Sequence, residues 1–513
     1  MPLDSGTYEV AIVGFGPTGA VAAGLLGKKG IRTFVCDKLR DVYDKPRAIS
    51  LDHEIARVFQ QLGLSEKIQP FLEPFTDSIY YGVDGQMIKR MSTVSKPYPL
   101  AHMPSVVFTQ PPVERVLREY VASHACIDIE LGQTLVKLEQ DSKVATLTLE
   151  AEDGTTSIVK ARYVIGCDGA SSAVRDFAGL ELQDLDFDEP WLVVDVLVNE
   201  TGLQKLPTTS VQYCNPKRPC TYLICPGNHR RWEISINAGE DPRAVSSPEG
   251  TWKLLAPWIT PQDGELWRQA SYRFHALVAD KWRNQRVFLA GDAAHQQPPF
   301  LGQGMCQGVR DAVNLCWRLE AVLRDGAADT LLDSYGVERK AHVTELTTRI
   351  KGIGKLITER DEDKARARDA RLLNDCGGEV KPTPRQDVQP ALTSGLLSPL
   401  EHPARGTIFP QPLLQGKDGH AIRMDEVFPA GWKVIFSKNA EPDCFSVAMH
   451  HHLPNLQVAQ LGVGQLIELE NVLDNWFSKH AVVAAIVRPD HYIYGVCNKL
   501  ENLTQQLDEL KLV

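Results

Sequence analysis

A glycine run close to the amino terminus constrains the fold of this chain more than any other feature. Residues 14–19 read GFGPTG; an apolar segment, residues 8–13, precedes them, and a segment rich in Ala, Leu and Gly, residues 18–29, follows. The first segment predicts a buried strand, the second a helix, and residues 33–36 a second strand. We therefore predict a βαβ unit within an α/β domain.

The spacing of these glycines is that of a dinucleotide fingerprint in a Rossmann-like fold. Gly14 and Gly16 permit a tight turn and let a pyrophosphate approach the helix start, where free N–H groups and the helix dipole favour anions. Asp37 ends the second strand, eighteen residues after Gly19, where its carboxylate can accept hydrogen bonds from ribose hydroxyls. Ordinary packing of a helix on a sheet is the alternative, but strand, helix and acid are all in place. The predicted cofactor site at this turn comprises Gly14, Gly16, Pro17, Gly19, Asp37 and Lys38.

Two later motifs indicate whether the bound dinucleotide is NAD or FAD. Residues 167–175 (CDGASSAVR) and 291–295 (GDAAH) each follow an apolar, strand-like segment. With these three ordered motifs, residues 7–350 resemble the class A flavoprotein aromatic hydroxylases, the family of p-hydroxybenzoate hydroxylase, and most of all its 3-(3-hydroxyphenyl)propionate hydroxylase branch. The resemblance implies FAD as the bound cofactor and NADPH or NADH as the co-substrate.

The resemblance also assigns residues to the cofactor. In that family the first of these motifs lies near FAD and the nicotinamide path, and the second binds the flavin ribityl chain. A segment rich in Pro and Gly leads into the next helix and faces the flavin pyrimidine, where a positive helix end stabilises the charge acquired on reduction. A Pro-Arg-Ala segment after the second strand also matches the family, as do a glutamine and Arg115 of one later helix. The residues assigned in this way are Arg47, Gln110, Asp168, Gly291, Asp292, Pro298, Gly302, Gly304 and Met305.

The resemblance implies a reaction as well. In that family NAD(P)H reduces FAD, O₂ adds at flavin C4a, and the resulting hydroperoxide transfers a hydroxyl group to a phenol. The protein must then supply a dry pocket, a fixed ring pose and a group that favours the phenolate. The expected function is therefore an FAD-dependent monooxygenase that hydroxylates a small phenol, similar to 3-(3-hydroxyphenyl)propionate or related to it.

Candidate residues for the phenol rest on placement along the chain. The catalytic candidates are His53, Tyr213, Tyr222 and Gln303, and the candidates for a substrate carboxylate are Lys217 and Arg218. Each has an ordinary alternative: a capping or solvated histidine, tyrosines of a strand core, and a solvated turn. His295 has no second His, Cys or carboxylate at ligand spacing, so we interpret it as structural and expect no metal.

Composition excludes several classes of protein. The formal charge is 55 − 65 = −10 with no long basic run, which argues against a nucleic-acid partner. No uncharged apolar run is long enough for a membrane span, and no signal peptide is recognisable at the amino terminus. The eleven cysteines include no Cys-x-x-Cys pair. We therefore expect a cytoplasmic location, and the sequence leaves open whether the chain forms a homodimer.

At 513 residues the chain is expected to contain more than one core. We predict a Rossmann-like FAD-binding domain in two parts, residues 1–181 and 273–360, with an inserted β-sheet substrate domain at 182–272. Residues 361–397 mix charge, Gly and Pro without periodicity and predict a linker. Residues 398–513 form a third unit, with strands at 432–436 and 445–449 and a helix at 472–480. Larger relatives in the resembled family carry a thioredoxin-like domain there.

Other functions stay open at this point. A flavin-dependent dehydrogenase or reductase of related fold has a similar pocket but inserts no oxygen. A hydroxylase that tailors aromatic polyketides uses the same framework in the resembled family. A flavin-binding interaction protein, whose carboxy-terminal unit recruits a partner, is the third alternative.

Overall fold

The computed structural model describes residues 6–440, 453 and 455–510. The strands of the first 181 residues are β1 (Thr7–Val13), β2 (Thr33–Asp37), β3 (Ser50–Asp52), β4 (Leu72–Pro74), β5 (Ser78–Tyr81), β6 (Met87–Ser92), β7 (Ser105–Phe108), β8 (Ile127–Leu131), β9 (Gln133–Gln140), β10 (Ala145–Ala151) and β11 (Thr156–Gly166). The helices there are α1 (Pro17–Lys28), α2 (His53–Gln61), α3 (Ser65–Ile68), α4 (Gln110–Ala122) and α5 (Ala173–Phe177).

The middle of the chain is mostly strand. Its strands are β12 (Leu182–Val198), β13 (Ser210–Tyr213), β14 (Cys220–Ile224), β15 (His229–Ser235), β16 (Gly264–Ala279), β17 (Arg283–Asn284), β18 (Val287–Leu289) and β19 (His295–Gln296). Its helices are α6 (Glu200–Leu203), α7 (Pro242–Val245), α8 (Pro248–Leu255), α9 (Gly304–Arg324) and α10 (Asp333–Thr358).

The last part of the chain alternates short strands and helices. Its described strands are β20 (Pro382–Pro384), β21 (Leu413–Gln415), β22 (Ala421–Arg423), β23 (Lys433–Phe436), β24 (Gln457–Gln460), β25 (Ala484–Val487) and β26 (Ile493–Cys497). Its described helices are α11 (Glu362–Asp375), α12 (Met424–Val427), α13 (Val472–His480) and α14 (Leu500–Glu509). Within the described ranges, no helix combines the length and the low polarity that crossing a membrane requires.

A mainly parallel sheet carries the glycine run. Its strands follow the order β17-β18-β11-β1-β2-β8, and β9 and β10 extend β11 as antiparallel partners. Ala11, Ile12 and Val35 are completely buried because helices cover the sheet. The predicted βαβ unit is confirmed as β1, α1 and β2.

A second, larger sheet lies beside the first. Its nine described strands follow the order β19-β16-β12-β15-β14-β13-β5-β6-β20. One face packs an apolar core that includes Tyr222, Trp232 and Leu255, the last from α8. The strands β5 and β6 precede the predicted insertion at 182–272, and β20 follows it, so the sheet recruits chain from outside that segment.

The segment 361–397, predicted to be a linker, holds ordered structure. Helix α11 is capped by Asp361, whose side chain accepts from Lys364 N. Asp369 of this helix accepts a hydrogen bond from Val83 N at 2.7 Å, and β20 pairs with β6. The helix was not apparent from the sequence because its buried residues are mostly charged, Arg368 and Asp369 beside Ala365.

The carboxy-terminal unit centres on a four-stranded sheet, in the order β24-β23-β25-β26 among the described residues. The predicted strand at 432–436 and helix at 472–480 are confirmed as β23 and α13, whereas the predicted strand at 445–449 lies outside the described residues. Buried ion pairs attach this unit to α9 and α10. Arg488 Nη2 lies 2.8 Å from Glu338 Oε2 and 2.6 Å from Asp490 Oδ2, and Arg318 Nη2 lies 2.6 Å from Glu338 Oε1.

Candidate active site

A cavity of about 430 Å³ lies between the glycine run and the large sheet. Its wall combines the start of α1, the start of α9 and the face of the large sheet opposite the Trp232 core. Of the predicted cofactor residues, those that line it are Gly16, Pro17, Arg47, Gln110, Asp292, Gly302, Gly304 and Met305. Three distant segments of sequence therefore meet at one cavity.

The three glycines of the fingerprint have different local roles. Gly14 has φ +101°, and a Cβ atom there would lie 2.3 Å from Cys167 O; a Cβ at Gly19 would lie 2.0 Å from Gly14 O. A Cβ at Gly16 would meet no atom within 4 Å. Gly14 and Gly19 therefore close the turn, while Gly16, the N-cap of α1, leaves room for a ligand beside uncapped N–H groups. This arrangement fits the pyrophosphate of a dinucleotide.

Asp37 holds the other side of this turn. Its Oδ2 accepts from Phe15 N at 2.7 Å and its Oδ1 accepts from Leu39 N at 2.8 Å. Each carboxylate oxygen retains a further lone pair for a ribose hydroxyl. The neighbouring Lys38 is exposed and does not line the cavity.

The two aspartate motifs are joined to each other. Asp168 accepts from Ser172 Oγ at 2.5 Å and from Val174 N at 3.1 Å, so it shapes its own turn while Cys167 and Gly169 line the cavity. Arg175 donates to Ala293 O, at 3.2 Å, and so links this turn to the second motif.

In the second motif, Asp292 faces the cavity and Gly291 supports it. Enclosure by protein raises the pKa of Asp292, whose carboxyl receives no hydrogen bond from a described residue. Gly291 has φ +63° and donates its N–H to Asp311 Oδ2 at 2.9 Å. His295 also contacts Asp311, with Nε2 at 2.8 Å, and stacks on Trp282, a structural setting.

Gln110 and Arg47 form the wall nearest α4. Gln110 Oε1 accepts from Ala48 N at 2.7 Å. The Arg47 side chain is exposed at the mouth of the cavity, with Cζ 4.8 Å from the Tyr43 ring centre. Arg115, also matched to the cofactor by resemblance, is exposed and does not line the cavity.

At the opposite wall, α9 begins with its first residues on the cavity. Gly302 has φ +62°, and Gly304 and Met305 open the helix. The N-cap, Gln303, makes no capping bond, so N–H groups of the first turn face outward for a ligand. Pro298 itself does not line the cavity, although Pro299 does.

Comparison with known proteins agrees with this geometry. The family model described as an FAD binding domain matches residues 7–350, and the HcaD C-terminal domain model matches residues 406–511. A probable NADH-specific resorcinol 4-hydroxylase from Rhodococcus jostii (strain RHA1) is 34% identical, covering 98% of this chain and 94% of the relative. The chain belongs to the FAD-dependent aromatic hydroxylases.

Two further comparisons fit this family. A 3-(3-hydroxy-phenyl)propionate/3-hydroxycinnamic acid hydroxylase from Burkholderia cenocepacia (strain HI2424) is 29% identical, over 94% of this chain and 93% of the relative. A ternary complex of aklavinone-11 hydroxylase with FAD and aklavinone shares the fold, with a TM-score of 0.79 at 20% identity, covering 98% and 99% of the two chains. The cofactor is FAD, and the enzyme is a monooxygenase rather than a dehydrogenase or a non-catalytic flavin-binding protein.

The predicted catalytic tyrosines of this hydroxylase lie on the wrong face of the large sheet to line the cavity. Tyr222 donates to Pro207 O at 3.2 Å, and Tyr213 Oη accepts from Trp258 Nε1 at 3.2 Å. Side chains alternate along a strand, so Thr221 and Gln212, one residue away, line the cavity instead. Neither tyrosine lines this cavity.

The other predicted substrate contacts also lie elsewhere. His53 is buried beside Gln303 in a separate small pocket, where burial lowers its pKa. Gln303 Oε1 is already bonded to Gln389 Nε2 at 2.6 Å. Lys217 is exposed, and Arg218 pairs with Glu240 at 2.6 Å, so neither lines the cavity.

Two charged residues of the cavity wall that have no oppositely charged partner within 4 Å among the described residues were missed from the sequence. Glu233 of β15 is 3% exposed, lines the cavity, and its carboxyl receives no hydrogen bond from a described residue. Burial raises its pKa to about 7. The alternation along β15 predicts that Glu233 and Arg231 share a face, but only the pairing of the strands tells which face meets the cofactor.

The second missed residue, Arg385, comes from the predicted linker. Its Nη2 donates to Leu301 O at 2.8 Å, and its Cζ lies 4.0 Å from the centre of the Phe75 ring. Burial lowers its pKa, and no described carboxylate lies within 4 Å of it. By contrast, Arg231 on the same wall is paired with Asp195 at 2.7 Å.

Proposed function

We propose that this hydroxylase acts on a single-ring phenol of the resorcinol type with NADH as the reductant. The observation that carries the proposal is the mixed wall of the cavity. Gln212, Thr221 and Glu233 form a polar strip, and the remaining wall on the substrate side includes Phe75, Phe274, Phe300 and Leu301. An apolar slot with a few convergent polar groups suits a flat ring that carries hydroxyl groups.

The size of the cavity supports a small substrate. Its volume of about 430 Å³ must accommodate the flavin ring as well as the phenol. Beside the flavin ring, a single-ring phenol takes up less of that volume than a larger fused ring system does. We therefore favour a catabolic substrate over polyketide tailoring.

The residues of this chain have defined tasks in such a reaction. Bound FAD, once reduced by NADH, supplies the electrophilic oxygen from O₂. Gly16 and the start of α1 would hold the pyrophosphate, Asp37 the ribose, Asp292 the ribityl chain, and the start of α9 the electron-rich edge of the flavin. The aromatic wall excludes water and fixes the plane of the phenol.

A phenol with a carboxylate side chain is a second candidate substrate. Arg385 favours it, because a half-buried guanidinium without an acidic partner is suited to an anion. The name of the Burkholderia cenocepacia relative includes such substrates. The choice of NADH rests on the name of the Rhodococcus jostii relative.

We propose the domain division of the sequence analysis with one change. Residues 1–181 and 273–360 make the FAD-binding domain and residues 398–513 a thioredoxin-like scaffold, while residues 361–397 belong functionally with the substrate domain through Arg385. Nine of the ten described cysteines, all except Cys497, are free thiols, which supports the cytoplasmic location.

A substrate panel tests this function. Holoenzyme is supplied with resorcinol, 3-(3-hydroxyphenyl)propionate or a tetracyclic polyketide, and with NADH or NADPH. We expect NADH oxidation to be stimulated by resorcinol and the product to carry one more oxygen by mass. Faster and better coupled turnover of the propionate would favour the second candidate, and coupled turnover of the polyketide alone would refute the proposal.

A further inference from the structure

Glu233 lies on the cavity wall, and its carboxylate has oxygen lone pairs that no described residue uses, so it can accept a proton from the substrate. It extends from β15 into the cavity wall, opposite Thr221 of β14 and Val193 of β12 in the strand pairing. We propose that the Glu233 carboxylate binds the phenolic hydroxyl of the substrate and takes its proton during oxygen transfer. This inference rests on the proposed function and names the residue that activates its substrate.

The neighbouring hydrogen-bond donors on the cavity wall bind other groups, so the Glu233 carboxylate remains available to a ligand. Thr221 Oγ1 donates to Gln212 Oε1 at 2.6 Å and so does not satisfy the acid. Arg231 is held by Asp195 at 2.7 Å and 3.0 Å, and donates to the backbone oxygen of Arg47 at 2.7 Å. A buried carboxyl without a partner is costly, and a phenolic O–H is a donor of the right kind to remove that cost.

The charges around Glu233 leave it able to accept a proton near neutral pH. Burial raises its pKa to about 7, Asp195 raises it further, and Arg231 and Arg268 act in the opposite direction. Cys220 lies on the opposite face of the sheet; burial, and then the negative charge of Glu233, raise the pKa of its thiol, so Cys220 stays neutral. Of these groups, Glu233 is the one poised to change charge between pH 6 and pH 8.

The proposed step conserves atoms and charge. The phenolic O–H bond breaks, the proton passes to a carboxylate oxygen of Glu233, and the bonding pair stays on the phenol oxygen. The resulting phenolate directs electron density to its ortho and para carbons, one of which bonds to the oxygen supplied by the established flavin reaction. When the ring regains aromaticity, the hydroxylated carbon releases its proton to solvent and its C–H bonding pair returns to the ring, while the proton on Glu233 returns to the original phenol oxygen.

The test compares Glu233→Gln with Glu240→Gln, a control whose acid pairs with Arg218 outside the cavity. Resorcinol is titrated into each oxidised holoenzyme from pH 5 to pH 9, and its dissociation constant is read from the change in flavin absorbance. We expect wild type and the control to bind more tightly as pH rises through about 7. Glu233→Gln should lose that dependence and bind about tenfold more weakly at pH 8, since it loses a charged hydrogen bond.

Turnover gives the second readout. We expect Glu233→Gln to retain its flavin, to lower kcat by on the order of 10²-fold, and to recover towards pH 10, where solvent ionises the phenol. Wild-type pH profiles for both binding and kcat in the variant would overturn the inference, as would wild-type binding without a transition near pH 7. If wild type hydroxylates no single-ring phenol, the proposed function fails instead, which the substrate panel detects independently.

Discussion

Two buried charged regions of this hydroxylase differ in how their charges are matched. In the domain-contact cluster, Arg318, Glu338, Arg488 and Asp490, every side chain has an oppositely charged partner at 2.6–2.8 Å. On the cavity wall, Glu233 and Arg385 have no oppositely charged partner within 4 Å among the described residues. The first region joins α9 and α10 to the carboxy-terminal unit, and the second faces open volume.

The difference appears in the ionisation of the two glutamates. Burial alone would raise the pKa of Glu338, but Arg318 and Arg488 hold it at about 2. Burial raises the pKa of Glu233 to about 7 although the positive charges of Arg231 and Arg268 act against it; Arg231 makes its ion pair with Asp195 instead. Buried charges that are paired with each other maintain the structure, whereas unpaired charges beside a cavity are available to bind a ligand.

The largest expected effect comes from breaking the matched region. Glu338→Ala leaves Arg318 and Arg488 buried without their shared anion and should lower the free energy of unfolding by about 3–5 kcal/mol. Glu345→Ala, in the same helix, removes an exposed pair with Arg349 and should cost less than about 1 kcal/mol. Urea unfolding measures the free energy of unfolding that each variant loses. Equal losses in the two variants would contradict the distinction between paired buried charges and exposed ion pairs.

Next in size is the loss of cofactor without loss of fold. Gly16→Val has space for its side chain but fills the ligand space beside α1, so we expect a folded protein without bound FAD. Gly352→Val is the control, since a Cβ there also meets no atom within 4 Å and Gly352 does not line the cavity. Flavin absorbance after purification distinguishes them. A normal FAD content in Gly16→Val would refute the assignment of this turn.

A smaller effect concerns stability and pH in the unmatched region. The pKa of Glu233 is about 7 in the folded protein against 4.5 in the unfolded chain. The contribution of Glu233 to the free energy of unfolding is therefore fully present below about pH 4.5 and is lost as pH rises through about 7. Glu233→Gln should stabilise the protein at pH 8 by up to about 3 kcal/mol and leave stability at pH 4.5 little changed. Thermal unfolding without substrate at the two pH values measures this, and the opposite pH trend would contradict the assignment.

The smallest expected effect is a change in KM that distinguishes the unpaired Arg385 from the paired Arg273. Arg385→Gln should raise KM for 3-(3-hydroxyphenyl)propionate about tenfold and change KM for neutral resorcinol much less, because only the former offers a carboxylate. Arg273→Gln also changes the cavity wall, but Arg273 pairs with Asp188 at 2.8 Å and should have little effect on either substrate. Steady-state kinetics would contradict the comparison if both variants responded alike.

The sequence predicted the local structure of the segments that line the cofactor half of the proposed site, for a physical reason. The turn at Gly14 and the position of Asp37 depend on local backbone geometry, which a short motif specifies. A helix was predicted from Met305, after the segment rich in Pro and Gly, and α9 begins one residue earlier, at Gly304.

The substrate half depends on which face of a strand meets the cofactor, and that is a long-range property. Tyr213 and Tyr222 were chosen for their chemistry, but each lies one residue from the side chain that reaches the cavity. Glu233 gave no local signal, since a glutamate in a strand is ordinarily solvent-exposed. Arg385 was invisible because its segment lacks the apolar periodicity from which order is predicted.

Oxygen-isotope labelling shows whether the enzyme inserts an oxygen atom from O₂ into a phenol. Holoenzyme, NADH and resorcinol are incubated under ¹⁸O₂, and the aromatic product is analysed by mass spectrometry. We expect a product that carries one ¹⁸O atom, formed in proportion to the NADH consumed. A product whose new oxygen comes from water, or sustained and coupled conversion of the phenol without any new oxygen, would contradict it.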